Sequence, residues 1–107
     1  MTDKIVMLTT VASEEEGLTI SRALVEQNVA ACVNLIAGVR SVFYWKDEVC
    51  QETENLLFIK TKKTLQEKVA NLIRSLHSYQ CPEIISLPVS WGWEDYLRWI
   101  EETVSQK

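Results

Sequence analysis

The sequence predicts an α+β fold in the order βαββαβ, with two helices on one face of an antiparallel sheet and an extra helix at the C-terminal end. Three observations carry that prediction. Two apolar stripes at helical spacing, each preceded by a capping signal, flank a long segment rich in β-branched and aromatic residues. That segment reverses once, at a short polar turn, and so reads as a hairpin. Short apolar runs before the first stripe and after the second supply the two outer strands.

Taken in order, Ile5 to Thr10 is a brief run of strand formers suited to a buried central strand. Ser13 and Glu16 have capping-box spacing, and Glu14 and Glu15 suit a helix N-terminus, so a helix should start at Ser13. Gly17, Ile20, Ala23, Leu24 and Gln27 form its stripe, and Asn28 is a left-handed stop. From Ala30 to Tyr44 the pattern is that of one long strand, with Gly38 marking a bulge or bend. Trp45, Lys46 and Asp47 supply the reversal, and Glu48 to Thr61 returns as the second arm. A turn there pairs Cys50 with a residue near Val42, and Cys32 with one near Lys60.

Each arm of the hairpin would extend ~45 Å at the usual strand rise. A compact chain of this length is only about 35 Å across. The hairpin therefore overhangs its own domain, and the apolar Val42, Phe43, Tyr44 and Trp45 on it call for cover by another chain.

Thr64 and Glu67 form a second capping-box pair ahead of Leu65, Val69, Leu72, Ile73 and Leu76 at helical spacing. Pro82 ends that helix by Cys81. Glu83 to Val89 is a short strand that Pro88 confines to an edge. After Gly92 a last helix carries Tyr96, Trp99, Ile100 and Val104 on one face, and packing is the expected role of Trp91, Trp93 and Trp99. This is the split βαβ, ferredoxin-like arrangement with a long β2–β3 hairpin. Its uncovered sheet face also asks for a partner, most simply another copy.

Composition narrows the function. The 107 residues form a single domain, 1–107, able to bury roughly 65% of its extended-chain surface. A net charge of -4, with Lys60, Lys62 and Lys63 as the densest basic run, argues against a nucleic-acid partner. The N-terminal apolar run is too short for a signal peptide or a membrane span, and three cysteines without CxxC spacing fit free thiols. A soluble protein of a reducing, cytoplasmic compartment is the expectation. Cys32 and Cys50 are expected as small buried apolar residues.

The polar chemistry concentrates in Leu76 to Pro88, LHSYQCPEIISLP, which holds the chain's one histidine, a cysteine and both prolines. His77, Cys81 and Glu83 are held there in one rigid turn. With one histidine, no nucleophile-elbow serine and no paired-carboxylate signature, the chain is not expected to be an enzyme.

Four segments resemble the CutA divalent-cation-tolerance proteins: VNLIAGVRSVFYWKDEV (Val33 to Val49), LLFIKT (Leu56 to Thr61), HSYQCPEIISLPV (His77 to Val89) and YLRWI (Tyr96 to Ile100). They fall in the same order over nearly the whole chain. The resemblance implies a ferredoxin-like protomer in a tight homotrimer, a likeness to the trimeric PII signalling proteins, and a cytoplasmic role in tolerance of divalent metals, copper included. It implies no established enzymatic activity.

The copper ligands proposed in that family are a cysteine near the end of the first strand and two adjacent histidines. The corresponding positions here are Thr9, Leu76 and His77, so one ligand is kept, His77, and the usual proline before Tyr79 is Ser78. A copper ion or other divalent metal at His77 is one reading. The other is a PII-like sensor of a small molecule or anion, in a cleft between subunits lined by Arg40, Lys60, Tyr79 and Glu83 with Trp45 or Trp99 as an apolar wall.

Overall fold

Strand β1 (Lys4–Val11) is the axis of the sheet. Ile5, Met7 and Val11 point to one side of it and are buried, while Val6 and Leu8 on the other side are only partly covered. A computed structural model of the chain describes residues 2–105. After β1 come α1 (Glu14–Glu26), β2 (Cys32–Trp45), β3 (Glu48–Lys62), α2 (Gln66–Leu76), β4 (Ile85–Pro88) and α3 (Glu94–Val104). The strands form one antiparallel sheet in the spatial order β2-β3-β1-β4, as the ferredoxin-like reading requires.

The core lies between the sheet and the two central helices. Ile20 and Leu24 of α1 and Val69 and Ile73 of α2 are fully buried against Met7, Leu57 and Ile59. Fully burying side chains of this size stabilises by about 1.5–3 kcal/mol each. Gly17 lets α1 come close, since a Cβ there would stand 2.8 Å from a methyl of Leu35. The α1 termini match expectation: the Ser13 hydroxyl accepts the Glu16 amide at 3.1 Å, and Asn28 has φ 59°. The second helix differs. It enters through a 3₁₀ turn at Lys63–Leu65 with no side-chain cap, so Thr64 and Glu67 do not form a capping box. That tighter turn engages the first amides itself, and Lys63 N–H donates to the Asp3 carbonyl at 2.8 Å.

Register decides which side chains share a face of the hairpin. Lys46 and Asp47 are both left-handed, with φ 52° and 67°, the geometry of a two-residue primed turn. Cys50 thus pairs with Phe43, and Cys32 with Lys60. Gly38 (φ 77°) sits in a bulge where Ala37 and Gly38 on β2 oppose Asn55 alone on β3. The extra residue inverts the alternation of β2. Before the bulge Asn34 and Ile36 share the helix-free face with Phe58 and Leu56; after it Val39, Ser41, Phe43 and Trp45 take that face with Glu54, Glu52, Cys50 and Glu48. The hairpin sets the long dimension of the chain, 44 Å against 26 and 22 Å across.

Two expectations for the tail change. Ile100 and Val104 of α3 are buried, but they pack with Ala31, Leu65 and Leu97 rather than with Tyr96 and Trp99. Tyr96 and Trp99 stack on each other at 5.5 Å and stay exposed, as do Trp91 and Trp93. Trp99 stays outside because the helical face turned inward is the Leu97–Ile100–Val104 one. Cys32 and Cys50 are half-buried rather than core residues.

Ion pairs secure α3. The buried Lys4 donates to Asp3 and, at 2.9 Å, to Glu101; Lys62 and Ser105 donate to the other Glu101 oxygen at 2.8 and 3.0 Å. Burial disfavours the Lys4 charge, but its bonds to Asp3 and Glu101 outweigh this and raise its pKa. The bonds from Lys62, Lys4 and Ser105 hold the Glu101 carboxyl down at about 2. Because that lies below the ordinary 4.5, the stabilisation is complete above pH 4.5 and is lost as pH falls toward 2.

Replacing Glu101→Gln should cost about 1–2 kcal/mol near neutral pH, toward the low end for charged hydrogen bonds because the carboxylate is partly hydrated. Thermal melts of both proteins near pH 7 and pH 3 check it: the gap should narrow in acid. Gly38→Ala should cost about 1 kcal/mol by strain at positive φ, although a Cβ there meets nothing within 4 Å. Denaturant titration should show a lower midpoint with an unchanged slope.

Candidate functional site

Helix α2 stops at Leu76, and His77 leaves it in an extended conformation, φ -80° and ψ 139°. Its ring turns inward and is fully buried. Nε2 lies 2.7 Å from the Thr10 carbonyl, and Nδ1 is 3.1 Å from the Tyr79 amide nitrogen. A carbonyl only accepts and an amide N–H only donates, so Nε2 carries the proton and Nδ1 receives the amide. The imidazole is neutral, with both nitrogens engaged in closing the turn.

The same turn is held from α1. Glu16 accepts from Ser78 N–H at 2.8 Å and from the Ser78 hydroxyl at 3.0 Å, with its Oε2 3.5 Å from His77 Nδ1. The carboxylate that sequence spacing assigns to the capping box thus serves the loop after α2. Tyr79, its ring 4.7 Å from that of His77, reaches β3 and donates its hydroxyl to Glu54 at 2.6 Å. Burial and the neighbouring Glu54, Glu16 and Glu52 push the phenol pKa well up from 10.

Beside this pair a cleft of about 900 Å³ opens between the 78–83 loop and the outer hairpin. Ser41, Phe43, Trp45, Cys50, Glu52 and Glu54 supply one wall, and Tyr79, Cys81, Pro82 and Glu83 the other. Of the five cleft residues expected from sequence, the structure brings Trp45, Tyr79 and Glu83 together. Arg40 and Lys60 are not among the lining residues, and neither is Trp99. The Gly38 bulge puts Arg40 opposite Thr53, on the face away from Glu54. Lys60 lies at the other end of the hairpin, opposite Cys32 and hydrogen-bonded to Asn34. The cleft wall is therefore acidic and aromatic.

Glu54, Glu52, Phe43 and Glu16 are the contributors that the sequence reading passed over. The signal for Glu54 was present: counting back from Lys60 and Phe58 in steps of two puts it on the same face of β3. The partner of Glu16 lies 62 residues away, which no local pattern encodes.

As a metal site the arrangement does not fit. Thr9, at the cysteine position of the family pattern, presents a buried hydroxyl without a hydrogen-bond partner among the described residues, and Leu76 has no donor atom. His77 would have to release the Tyr79 amide to offer a lone pair. Among the described residues no three His, Cys, Asp or Glu side chains group closely enough to hold a metal ion.

Tyr79→Phe should destabilise the chain by about 2 kcal/mol, because Glu54 then loses its donor. Since the phenol pKa is raised, this stabilisation is present below pH 10 and fades as pH rises above it. Ultraviolet titration of both proteins should place the phenol missing from the variant above the ordinary tyrosine range.

Comparison with known proteins places this geometry. The family model described as CutA1 divalent ion tolerance protein matches residues 5–103. The divalent-cation tolerance protein CutA of Thermus thermophilus is 43% identical over 97 residues, covering 91% of this chain and 94% of that protein. The chloroplastic protein CutA of Arabidopsis thaliana is 36% identical over 92% of this chain, which spans only 54% of its length. The crystal structure of CutA from Xylella fastidiosa superposes with a TM-score of 0.94 at 31% identity, covering 96% of this chain and 99% of the other. With the family model matching residues 5–103 and relatives similar over more than nine-tenths of its length, the chain belongs to the CutA1 divalent ion tolerance family.

Proposed function

We propose that this chain is a cytoplasmic, non-enzymatic homotrimer of the divalent-cation tolerance response, copper included, which registers metal stress through the cleft at Tyr79 and Glu54 rather than by ligating the metal at His77. The observation that carries this reading is the imidazole itself. Both nitrogens are committed, to the Thr10 carbonyl and the Tyr79 amide, so the ring positions Tyr79 against Glu54 instead of presenting a lone pair. It also leaves no imidazole for proton transfer, which favours a binding role over catalysis. Three free thiols, at Cys32, Cys50 and Cys81, suit a reducing compartment.

Assembly is supported from two surfaces. The helix-free face of the sheet presents Ile36, Ile85 and Leu87, each about half exposed. On the overhanging arm Val42, Tyr44 and Val49 are 67, 75 and 65% exposed. Isolated apolar residues are normal on a surface, but contiguous ones along a sheet face and an arm ask for a partner. A small-molecule signal taken up in a cleft between subunits, as in the PII-like alternative, is the form of response that this reading favours.

Sedimentation velocity at micromolar concentration should give the mass of three chains; a monomer would sink the trimer. Calorimetric titration of the reduced protein with Cu(II), Zn(II) and, anaerobically, Cu(I) should show weak binding that is indifferent to His77→Ala, with circular dichroism verifying the variant's fold. Tight stoichiometric binding lost in the variant would establish direct coordination instead.

A further inference from the structure

Helix α3 is joined to the chain differently from α1 and α2. Those two lie on the main core, to which Ile20, Leu24, Val69 and Ile73 belong and α3 contributes nothing. Ile100 and Val104 form a separate small cluster with Ala31, and Leu65 and Leu97 pack at its rim. That cluster can open without parting the sheet from its two central helices.

The helix also lacks the means to stand alone. Its 11 residues fall short of the roughly 12–15 that an isolated helix needs for even marginal stability in water. Trp93 at its N-cap makes no side-chain bond, whereas Ser13 caps α1. Its last turn begins with Glu101 and Glu102, two carboxylates at the end where the helix dipole is already negative. Glu101 is answered by Lys4 at 2.9 Å and Lys62 at 2.8 Å. Glu102 is exposed and, among the described residues, forms no ion pair. Lys4 is itself buried, so the ammonium and the helix depend on each other.

The joint has a definable end. Val89 is pinned to the start of β1, its N–H donating to the Lys4 carbonyl at 3.0 Å and its carbonyl accepting from the Thr2 hydroxyl at 2.8 Å. From Ser90 to Trp93 the chain has no regular structure. The tail can therefore leave from Ser90 onward while every strand keeps its partners. All of these contacts lie within one chain, on the inner side of α3.

We propose that α3 is a strap, which docks and releases as one unit while the four-stranded core stays folded, and that the Glu101 carboxylate bridging Lys4 and Lys62 is its latch. Release uncovers Lys4, Ala31 and Leu65 and frees a segment carrying Trp91, Trp93, Tyr96 and Trp99. This goes beyond the metal-response reading and does not rest on it. Ionic strength is the natural trigger, because Glu101 is partly hydrated and the screening length falls from about 10 Å at 0.1 M salt to about 3 Å at 1 M.

Amide hydrogen exchange on the full-length reduced protein at neutral pH, read by NMR, tests it, with sedimentation following the assembly in the same buffers. The expected result is one shared protection for the amides of Arg98 to Val104, at least a hundredfold below that of the central strands β1 and β3. Glu101→Gln, which keeps the shape and removes the charge, should lower α3 protection about tenfold further. Glu102→Gln, in the same turn but away from the latch, should leave it unchanged or raise it, since it removes a charge that the dipole disfavours. Raising salt from about 0.05 to about 1 M should speed α3 exchange severalfold in the native protein and not in Glu101→Gln. If Glu101→Gln does not fold, the protection pattern and salt response of the native protein decide.

An α3 as protected as β1 and β3 overturns the proposal. So does protection that falls residue by residue toward Val104, which is fraying of one end, and so do equal effects of the Glu101 and Glu102 substitutions. Dissociation of the assembly whenever α3 opens would also overturn it, by making the helix part of an interface. A trimer with a fully protected α3 removes this inference and leaves the metal-response reading standing, whereas a monomer with a releasable α3 does the reverse.

Discussion

The one extra residue at Gly38 is the constraint on which the site depends. A strand alternates strictly, so each residue's face follows from its distance to the turn. Without the bulge, the residues of β2 that pack below, Asn34 and Ile36, would continue on the same face as Arg40, Val42 and Tyr44. With it, that face passes to Ser41, Phe43 and Trp45, opposite Glu52 and Glu54. A wall that would have been basic and aliphatic is instead aromatic and acidic. The left-handed φ of 77° is what allows the step, and glycine is the residue that adopts it without strain.

The second determinant is the turn after α2. Its polar groups are matched one to one: the ring of His77 to a carbonyl of β1 and an amide of its own turn, the Glu16 carboxylate to Ser78, the Tyr79 phenol to Glu54. α1, β1, β3 and the 77–79 loop all meet there. Such a fully satisfied network specifies one geometry because each alternative leaves a buried group unpaired. Its histidine is therefore best understood as a structural part of the cleft wall.

Much of the fold was legible because it is written in local periods. Ser13 and Asn28 bracket α1 by their own chemistry, the stripe of Val69 and Ile73 marks the buried face of α2, and the polar reversal at Lys46 and Asp47 implies a register within one residue of that observed. The site was legible only in part. Trp45, Tyr79 and Glu83 could be picked out by type, but Arg40 could not be excluded without knowing that Gly38 adds a residue to one strand rather than merely bending it. Glu16 and Glu54 act through partners 62 and 25 residues away, and sequence pattern carries little about such distant pairs. The tail misled for a related reason: Tyr96 and Trp99 share a helical stripe with Ile100, but packing chose the neighbouring stripe through Leu97.

The hairpin tip carries a last consequence, for the route by which the chain folds. Lys46 and Asp47 both occupy the left-handed region, which costs an L-residue without glycine's freedom roughly 1–2 kcal/mol. A tip of that kind does not close on its own preference. Closure must be driven from the domain side, where Val33, Leu35, Leu57 and Ile59 are already gathered against the helices. The arm then zips outward across the Gly38 step, and its tip becomes the last part of the sheet to order and the first to fray.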